Sequence, residues 1–455
     1  MHFHYKMNTP FPFSFSKLIS QFHNREYYSL DRGNFWADNR RVIWTSLVVF
    51  VGVLLWRSWS NFTNPGLYAE DATHYFSYFY GNNRGVAGLF HNPNDYQVVL
   101  NNFIAMMVAK VDVRWQPTFY LWIGATLSVL AVMALPSSGL LKNKYIIFIA
   151  PLLLGFSGMN HLYYYVTLAY QIYSLVIILI GALFWHPVKG NTENVILFIV
   201  LSLLIWSGPY SVLVVPFSFC FILFFKGKTK LLLALSVVTV LYTLAVREHT
   251  ILLHMLWSPR IQKIWFDTFI TKVVFMGLNG ALRPEKIVMV AVFFLAAFAL
   301  LRKDVFYLKI ACILLVLIHS SLAALFLSKK YIIALSIRPC YLVVPQFLWL
   351  SFLLFTFDRI LAQSKRLYHG GVVVCALVVL FVCFDNLRNP SKMSLPVMTG
   401  LPKYLDAIYE VEQQNLRGQH QVKILEYGKV FYHPVVKVGK ADNPNSPVET
   451  VHMGD

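Results

Sequence analysis

The stretch IWTSLVVFVGVLLWRSW, residues 43–59, decides the fold class of this chain. It is apolar over nearly the length that a helix needs to cross the hydrocarbon core of a bilayer, and its one charged residue is Arg57. Similar runs recur up to residue 384 in a chain that is 57% hydrophobic and 13% charged. Soluble domains carry about 25% charged residues. Because lipid offers backbone groups no water to bind, we predict an all-α polytopic membrane protein.

The apolar runs predict about 11 transmembrane helices. They lie near residues 43–59, 115–135, 145–159, 163–185, 194–207, 211–226, 230–246, 287–301, 306–327, 340–357 and 371–384. Two further stretches, 97–110 and 264–282, are apolar but interrupted by polar residues, which indicates helices lying at the membrane surface or half-inserted. The chain therefore divides into an N-terminal tail (1–42), a transmembrane domain (43–384) and a small polar C-terminal domain (385–455).

Basic residues alternate between loops and so predict the orientation of the chain. The N-terminal tail and the loops around Lys142, Lys189 and Lys226 are basic, whereas the short loops 159–162 and 207–210 are not. The positive-inside rule then places the N-terminus in the cytoplasm, and the first long loop (57–114) and the C-terminal domain outside. The net charge of +18 is explained by topology and by contact with an anionic lipid bilayer, so we expect no nucleic-acid partner.

An acidic pair stands just beyond the first predicted span, in NPGLYAEDATHYF, residues 64–76. Glu70 and Asp71 are conspicuous because the whole chain has 21 acidic residues among 455. A carboxylate in the first turn of a helix is common for purely structural reasons, since the helix dipole favours it. The position of the acidic pair, next to the outer end of the first predicted span, also suits a general base. His74 follows Asp71 at a spacing that puts both on one helix face.

The predicted outer face collects further polar and basic residues, of which two groups suit the chemistry of a lipid-linked substrate. Lys329, Lys330 and Arg338 could hold a donor phosphate, although cations at a span end also contact lipid headgroups. Sugar or acceptor contacts could come from His74, Asp95, Asn160, His161 and Gln171. No Gly-rich nucleotide-binding loop occurs in the sequence, which favours a donor supplied through the membrane.

These motifs resemble the GT-C superfamily of integral-membrane glycosyltransferases, which use polyprenyl-phosphate or dolichyl-phosphate sugars. The likeness to bacterial members rests on the acidic pair followed by Tyr75-Phe76, and on Asp95-Tyr96 leading into an amphipathic helix. Further motifs are Asn160 before the Tyr163–Tyr165 cluster, Gly208-Pro209-Tyr210, and Arg338 near Tyr341 and Pro345.

The resemblance implies a GT-C-like bundle in a bacterial inner membrane, with a periplasmic active site. A sugar would move from a polyprenyl-phosphate carrier to a cell-envelope glycan or glycolipid, for example lipopolysaccharide or O-antigen. Asp71 would act as the base, and Glu70 would orient it, raise its basicity or help to bind a metal. Glu70, Asp71 and His74 suit Mg²⁺ or Mn²⁺, but metal-independent members exist, so no metal is assigned.

Two other functions remain open on the sequence alone. A transporter or flippase for a lipid-linked oligosaccharide would also have many spans, with charges in the middle of them. An O-antigen polymerase or ligase would use Arg and His in a large late outer loop, and residues 247–286 offer such a loop.

Overall fold

The computed structural model describes residues 35–63, 65, 67, 71–79, 85–91, 97–156, 167–168, 170–182, 191–208, 229–245 and 343–363. The longer helices in these ranges are α1 (Phe35–Arg57), α2 (Val99–Val108), α3 (Gln116–Met133), α4 (Lys144–Phe156), α5 (Gln171–Ile180), α6 (Asn191–Ile205), α7 (Thr229–Ala245) and α8 (Val343–Gln363). No β-strand occurs in this part of the chain. The described fold is therefore helical, as the sequence predicts.

Two helical segments of the described residues are long and apolar enough to cross a membrane. They are Phe35–Arg57, which is α1, and Val113–Met133, which contains α3. Apolar side chains along one side of α6 and α7 are also exposed, with Val195, Ile199 and Val237 each showing more than half of their surface. Exposed apolar faces of this kind indicate association with a membrane.

Each predicted span that falls within the described residues coincides with a helix, although the bounds differ markedly at three places, one of which is the end of α8 at Gln363 instead of near residue 357. Helix α1 begins at Phe35, inside the predicted N-terminal tail, and α5 begins only at Gln171 instead of near residue 163. The stretch 97–110, predicted as a helix at the membrane surface or half-inserted, contains helix α2. Outside the described residues lie the predicted helices at 211–226, 264–282, 287–301, 306–327 and 371–384 and the C-terminal domain.

Helices α1 and α4 run parallel and in close contact. The Ser46 hydroxyl of α1 donates a hydrogen bond to the Phe148 carbonyl of α4, at 2.6 Å. One to two turns further along both helices, Gly155 lies against the fully buried ring of Phe50, so closely that a Cβ at this position would overlap the ring. A glycine is required here because it lets the two backbones approach.

We expect Gly155→Ala to destabilise the protein by about 1–3 kcal/mol, because the added methyl forces Phe50 out of a packed site. Gly52→Ala, on α1, is the matched control: a Cβ there meets nothing within 4 Å, so helix propensity alone should make it neutral or slightly stabilising. Unfolding of both variants by SDS titration measures the difference. Equal stability of the two would contradict the close packing of α1 and α4.

Helix α8 is fastened to the start of α4 by a buried carboxylate. The backbone N–H groups of Lys142 and Asn143 donate to Asp358 Oδ1 at 2.9 and 2.7 Å. Asn143 in turn caps α4, since its Oδ1 accepts from the N–H of Tyr145 at 2.9 Å. Asp358 thus satisfies donors that precede the first turn of α4, and it fixes the position of α8 along the bundle.

Candidate functional site

Asp71 opens a π-helical turn, Asp71–Phe76, and its side chain is only 2% exposed. Asp71 Oδ2 accepts a hydrogen bond from the backbone N–H of Leu168, at 3.3 Å. A π-helical turn places side chains differently from an α-helix and is frequent at functional sites. Asp71 thus stands in the first turn of a helical segment, and its carboxylate is inside the protein.

Asn101, near the start of α2, also binds Leu168. Its Nδ2 donates to the Leu168 carbonyl at 3.0 Å and to the Tyr75 hydroxyl at 3.2 Å. Tyr75 belongs to the π-helical turn that Asp71 opens. Asn101 is therefore linked to Asp71 in two ways, through this turn and through Leu168. Asp71 binds the N–H of Leu168 and Asn101 binds its C=O, and both side chains are buried.

Gln171 completes this arrangement at the start of α5. Its Nε2 donates to the Thr167 carbonyl at 2.8 Å, and its Oε1 accepts from the Ser128 hydroxyl at 3.0 Å. Ser128 also lies 3.3 Å from the Ser174 hydroxyl. We call Asp71, Tyr75, Asn101, Ser128, Thr167, Leu168, Gln171 and Ser174 the polar cluster.

The polar cluster lies inside the helix bundle. Ser128 is far along α3 from its beginning at Gln116, and a rise of about 1.5 Å per residue places it about 18 Å from that end. All eight members of the cluster are buried. A ligand that reaches Asp71 must therefore enter between helices.

Helix α2 is held with its N-terminus against the end of α6. The N–H of Val99 donates to the Trp206 carbonyl at 3.0 Å, and the N–H of Leu100 donates to the Ser207 hydroxyl at 2.9 Å. These bonds satisfy two N–H groups that lack partners inside the helix. They also fix the depth at which Asn101 meets Leu168.

The segment 97–102 carries three buried amide oxygens that meet no hydrogen-bond donor among the described residues: Gln97 Oε1, Asn101 Oδ1 and Asn102 Oδ1. The side chain of Asn102 is firmly placed, since its Nδ2 donates to the carbonyls of Leu89 and His91 at 2.9 and 2.7 Å. Buried polar atoms are nearly always paired, so three acceptors in one short segment need an explanation.

Of the predicted site residues, the structure brings together Asp71 and Gln171, through the neighbouring residues Thr167 and Leu168. His74 lies in the same π-helical turn as Asp71, but its side chain is not described. The remaining predicted site residues lie outside the described residues: Glu70, Asp95, Asn160, His161, Lys329, Lys330 and Arg338.

A metal site at Glu70, Asp71 and His74 stays a prediction. The described residues include no group of three His, Cys, Asp or Glu side chains that could hold a metal ion. Of the three predicted ligands, only the Asp71 side chain belongs to that part of the chain.

The sequence did not identify Asn101 and Ser128 as site residues. Asn101 is one of the polar residues that interrupt the apolar stretch 97–110, and Ser128 is an ordinary small residue within a predicted membrane helix. A signal existed for Asn101, because an Asn-Asn pair in an apolar helix has a high cost unless both amides find partners.

Asp112, just beyond the C-terminal end of α2, has an exposed carboxylate, in contrast to the buried Asp71. Asp112 accepts hydrogen bonds from the Arg114 side chain, at 3.0 Å from Nε, and from the Arg114 N–H at 3.0 Å. These bonds lower the pKa of Asp112 from 3.8 to about 2. Asp112 therefore stays ionised and solvated at neutral pH, and it provides a control for experiments on Asp71.

Comparison of the chain with protein-family models, with curated proteins and with solved structures finds no match.

Proposed function

We propose that this protein is a membrane glycosyltransferase of the GT-C type. It would transfer a sugar from a polyprenyl-phosphate carrier to a cell-envelope glycan or glycolipid, on the periplasmic face of a bacterial inner membrane. About 11 spans would form its GT-C-like bundle, with the N-terminus in the cytoplasm and the C-terminal domain in the periplasm. The membrane character rests on the apolar helices α1 and α3 and on the predicted spans.

The observation that carries the proposal is the buried carboxylate of Asp71 within the polar cluster. A general base must be held in place and kept from bulk water, and the N–H of Leu168 and the surrounding amides and hydroxyls meet these needs. In the reaction, Asp71 takes the proton of the acceptor hydroxyl. The oxygen of that hydroxyl attacks the anomeric carbon of the donor sugar. The bond from that carbon to the phosphate oxygen breaks, and the phosphate leaves with the lipid.

The departing phosphate requires positive charge, which the sequence offers at Lys329, Lys330 and Arg338. Cations that bind a phosphate more strongly as it leaves lower the barrier to transfer. This role for the three residues follows from their types and from their predicted place on the outer face.

The purified full-length chain in proteoliposomes tests the proposal. We expect it to transfer a labelled sugar from a polyprenyl-phosphate donor to a glycolipid acceptor extracted from bacterial envelopes. We expect no transfer from the corresponding nucleotide sugar. The chain itself offers no nucleotide-binding loop, which is the reason for the second expectation. Transfer from the nucleotide sugar, or from no donor in a panel of common polyprenyl-phosphate hexoses, would overturn the proposal.

The depth of the polar cluster supports a second candidate, a transporter of lipid-linked oligosaccharide. Polar and ionisable groups in the middle of a membrane bundle are frequent along substrate pathways. The same proteoliposomes separate the two functions. A transporter changes the leaflet in which the labelled lipid-linked sugar is found and leaves the sugar–phosphate bond intact, whereas a transferase breaks that bond.

A further inference from the structure

The amide of Asn101 offers an acceptor atom that the protein itself does not use. The orientation of this amide is fixed, because Nδ2 donates to the Leu168 carbonyl and to the Tyr75 hydroxyl. Exchanging the two amide atoms would set Oδ1 against the carbonyl oxygen of Leu168, which can only accept. Asn101 Oδ1 therefore points away from these partners, and it meets no donor among the described residues although the side chain is completely buried.

The side chains of Asn101 and Asp71 meet at one residue, since Asn101 Nδ2 binds the carbonyl of Leu168 and Asp71 Oδ2 binds its N–H. A carboxylate and an amide oxygen are both hydrogen-bond acceptors. Together they favour ligand groups that donate, such as hydroxyls. They disfavour a phosphate, whose oxygens are acceptors and whose charge repels a carboxylate.

We propose that Asn101 Oδ1 accepts a hydrogen bond from a hydroxyl of the bound ligand, so that the Asp71–Asn101 part of the site recognises a polyhydroxylated group and not a phosphate. The inference rests on the proposed glycosyltransferase function and makes it more specific. It assigns the sugar to the polar cluster and requires the carrier phosphate to be bound elsewhere. Gln97 Oε1 and Asn102 Oδ1 are two further buried acceptors in the segment 97–102 that meet no donor among the described residues.

Ligand binding to the unmodified chain tests the proposal without any mutation. The probes are methyl glycosides of glucose, galactose, mannose and N-acetylglucosamine, their per-O-methylated forms, and inorganic phosphate. Binding to the full chain in nanodiscs is followed by saturation-transfer NMR. Per-O-methylation keeps the acceptor oxygens of the sugar and removes its hydroxyl donors. We expect at least one methyl glycoside to bind saturably and its methylated form to bind at least about tenfold more weakly, because buried acceptors would be left unpaired.

Phosphate should not displace the bound glycoside. Equal binding of a glycoside and its methylated form, displacement by phosphate, or no saturable binding of any glycoside would each overturn the proposal.

A variant at Asn101 locates the effect. Asn101→Leu should weaken glycoside binding at least about tenfold, because it removes the acceptor oxygen. Ser351→Ala is the control for removing a buried polar group, since Ser351 bonds only within its own helix, to the Phe347 carbonyl at 2.8 Å, and we expect no change. Wild-type binding of Asn101→Leu in a folded preparation would contradict the proposal. If that variant does not fold, the comparison of methylated and free glycosides decides alone.

The sugar-transfer assay keeps this inference separate from the proposed function. If the chain transfers sugar but probe binding does not depend on Asn101, the inference fails and the proposed function stands. If glycoside binding depends on Asn101 and no transfer occurs from any donor, the proposed function fails and the hydroxyl site stands.

Discussion

Replacing Asp71 by Asn should lower the rate of sugar transfer by about 10²–10⁴-fold, the range that a general base contributes. An asparagine has nearly the size of an aspartate, and its Oδ1 can still accept from the N–H of Leu168. The fold should therefore survive while the ability to take a proton is lost. The measurement is the initial rate in proteoliposomes at saturating donor, together with SDS unfolding of the same preparation. We expect the rate to fall and the unfolding midpoint to change little.

Asp112→Asn is the matched control for this experiment. It makes the same chemical change at an exposed carboxylate that is paired with Arg114. Asp112 lies outside the polar cluster, so transfer should continue at the wild-type rate. Retention of full activity by Asp71→Asn, or an equal loss in both variants, would remove Asp71 from the role of base.

Among the described residues, the sequence predicts the positions of the helices well because each of these helices is encoded locally, by a run of apolar side chains. It misses the late start of α5 because the reason is not local. The turn before Gln171 is held by Asp71 and Asn101, which lie 97 and 67 residues away from Leu168 in the chain. Hydropathy does not reflect such contacts. The span predicted at 163–185 therefore runs through the turn that precedes Gln171 in the structure.

The same argument applies to the candidate site. Asp71 could be predicted because acidic residues are rare in this chain, and Gln171 because an amide inside an apolar run is unusual. Their meeting at Thr167 and Leu168 could not be predicted, since it depends on the packing of three separate elements. The burial of Asp71 could not be predicted either, because it depends on packing against residues that are distant in the chain, such as Leu168.

A second large effect is expected at Asp358, far from the polar cluster. Asp358→Ala should destabilise the protein by about 3–6 kcal/mol, because hydrogen bonds to a charged acceptor contribute about 1.5–3 kcal/mol each and two backbone donors lose their partner. Those donors, the N–H groups of Lys142 and Asn143, lie 216 and 215 residues away in the chain. The loss should appear as a lower free energy of unfolding in SDS titration of the full chain.

Comparison with two variants shows whether the loss comes from these hydrogen bonds. Asp358→Asn keeps one acceptor oxygen and should lose about half as much stability, since a neutral acceptor binds more weakly than a charged one. Ser351→Ala, two turns earlier on α8, removes only a hydroxyl that bonds within the helix and should cost less than about 1 kcal/mol. If Asp358→Ala is as stable as Ser351→Ala, the carboxylate does not fasten α8 to α4.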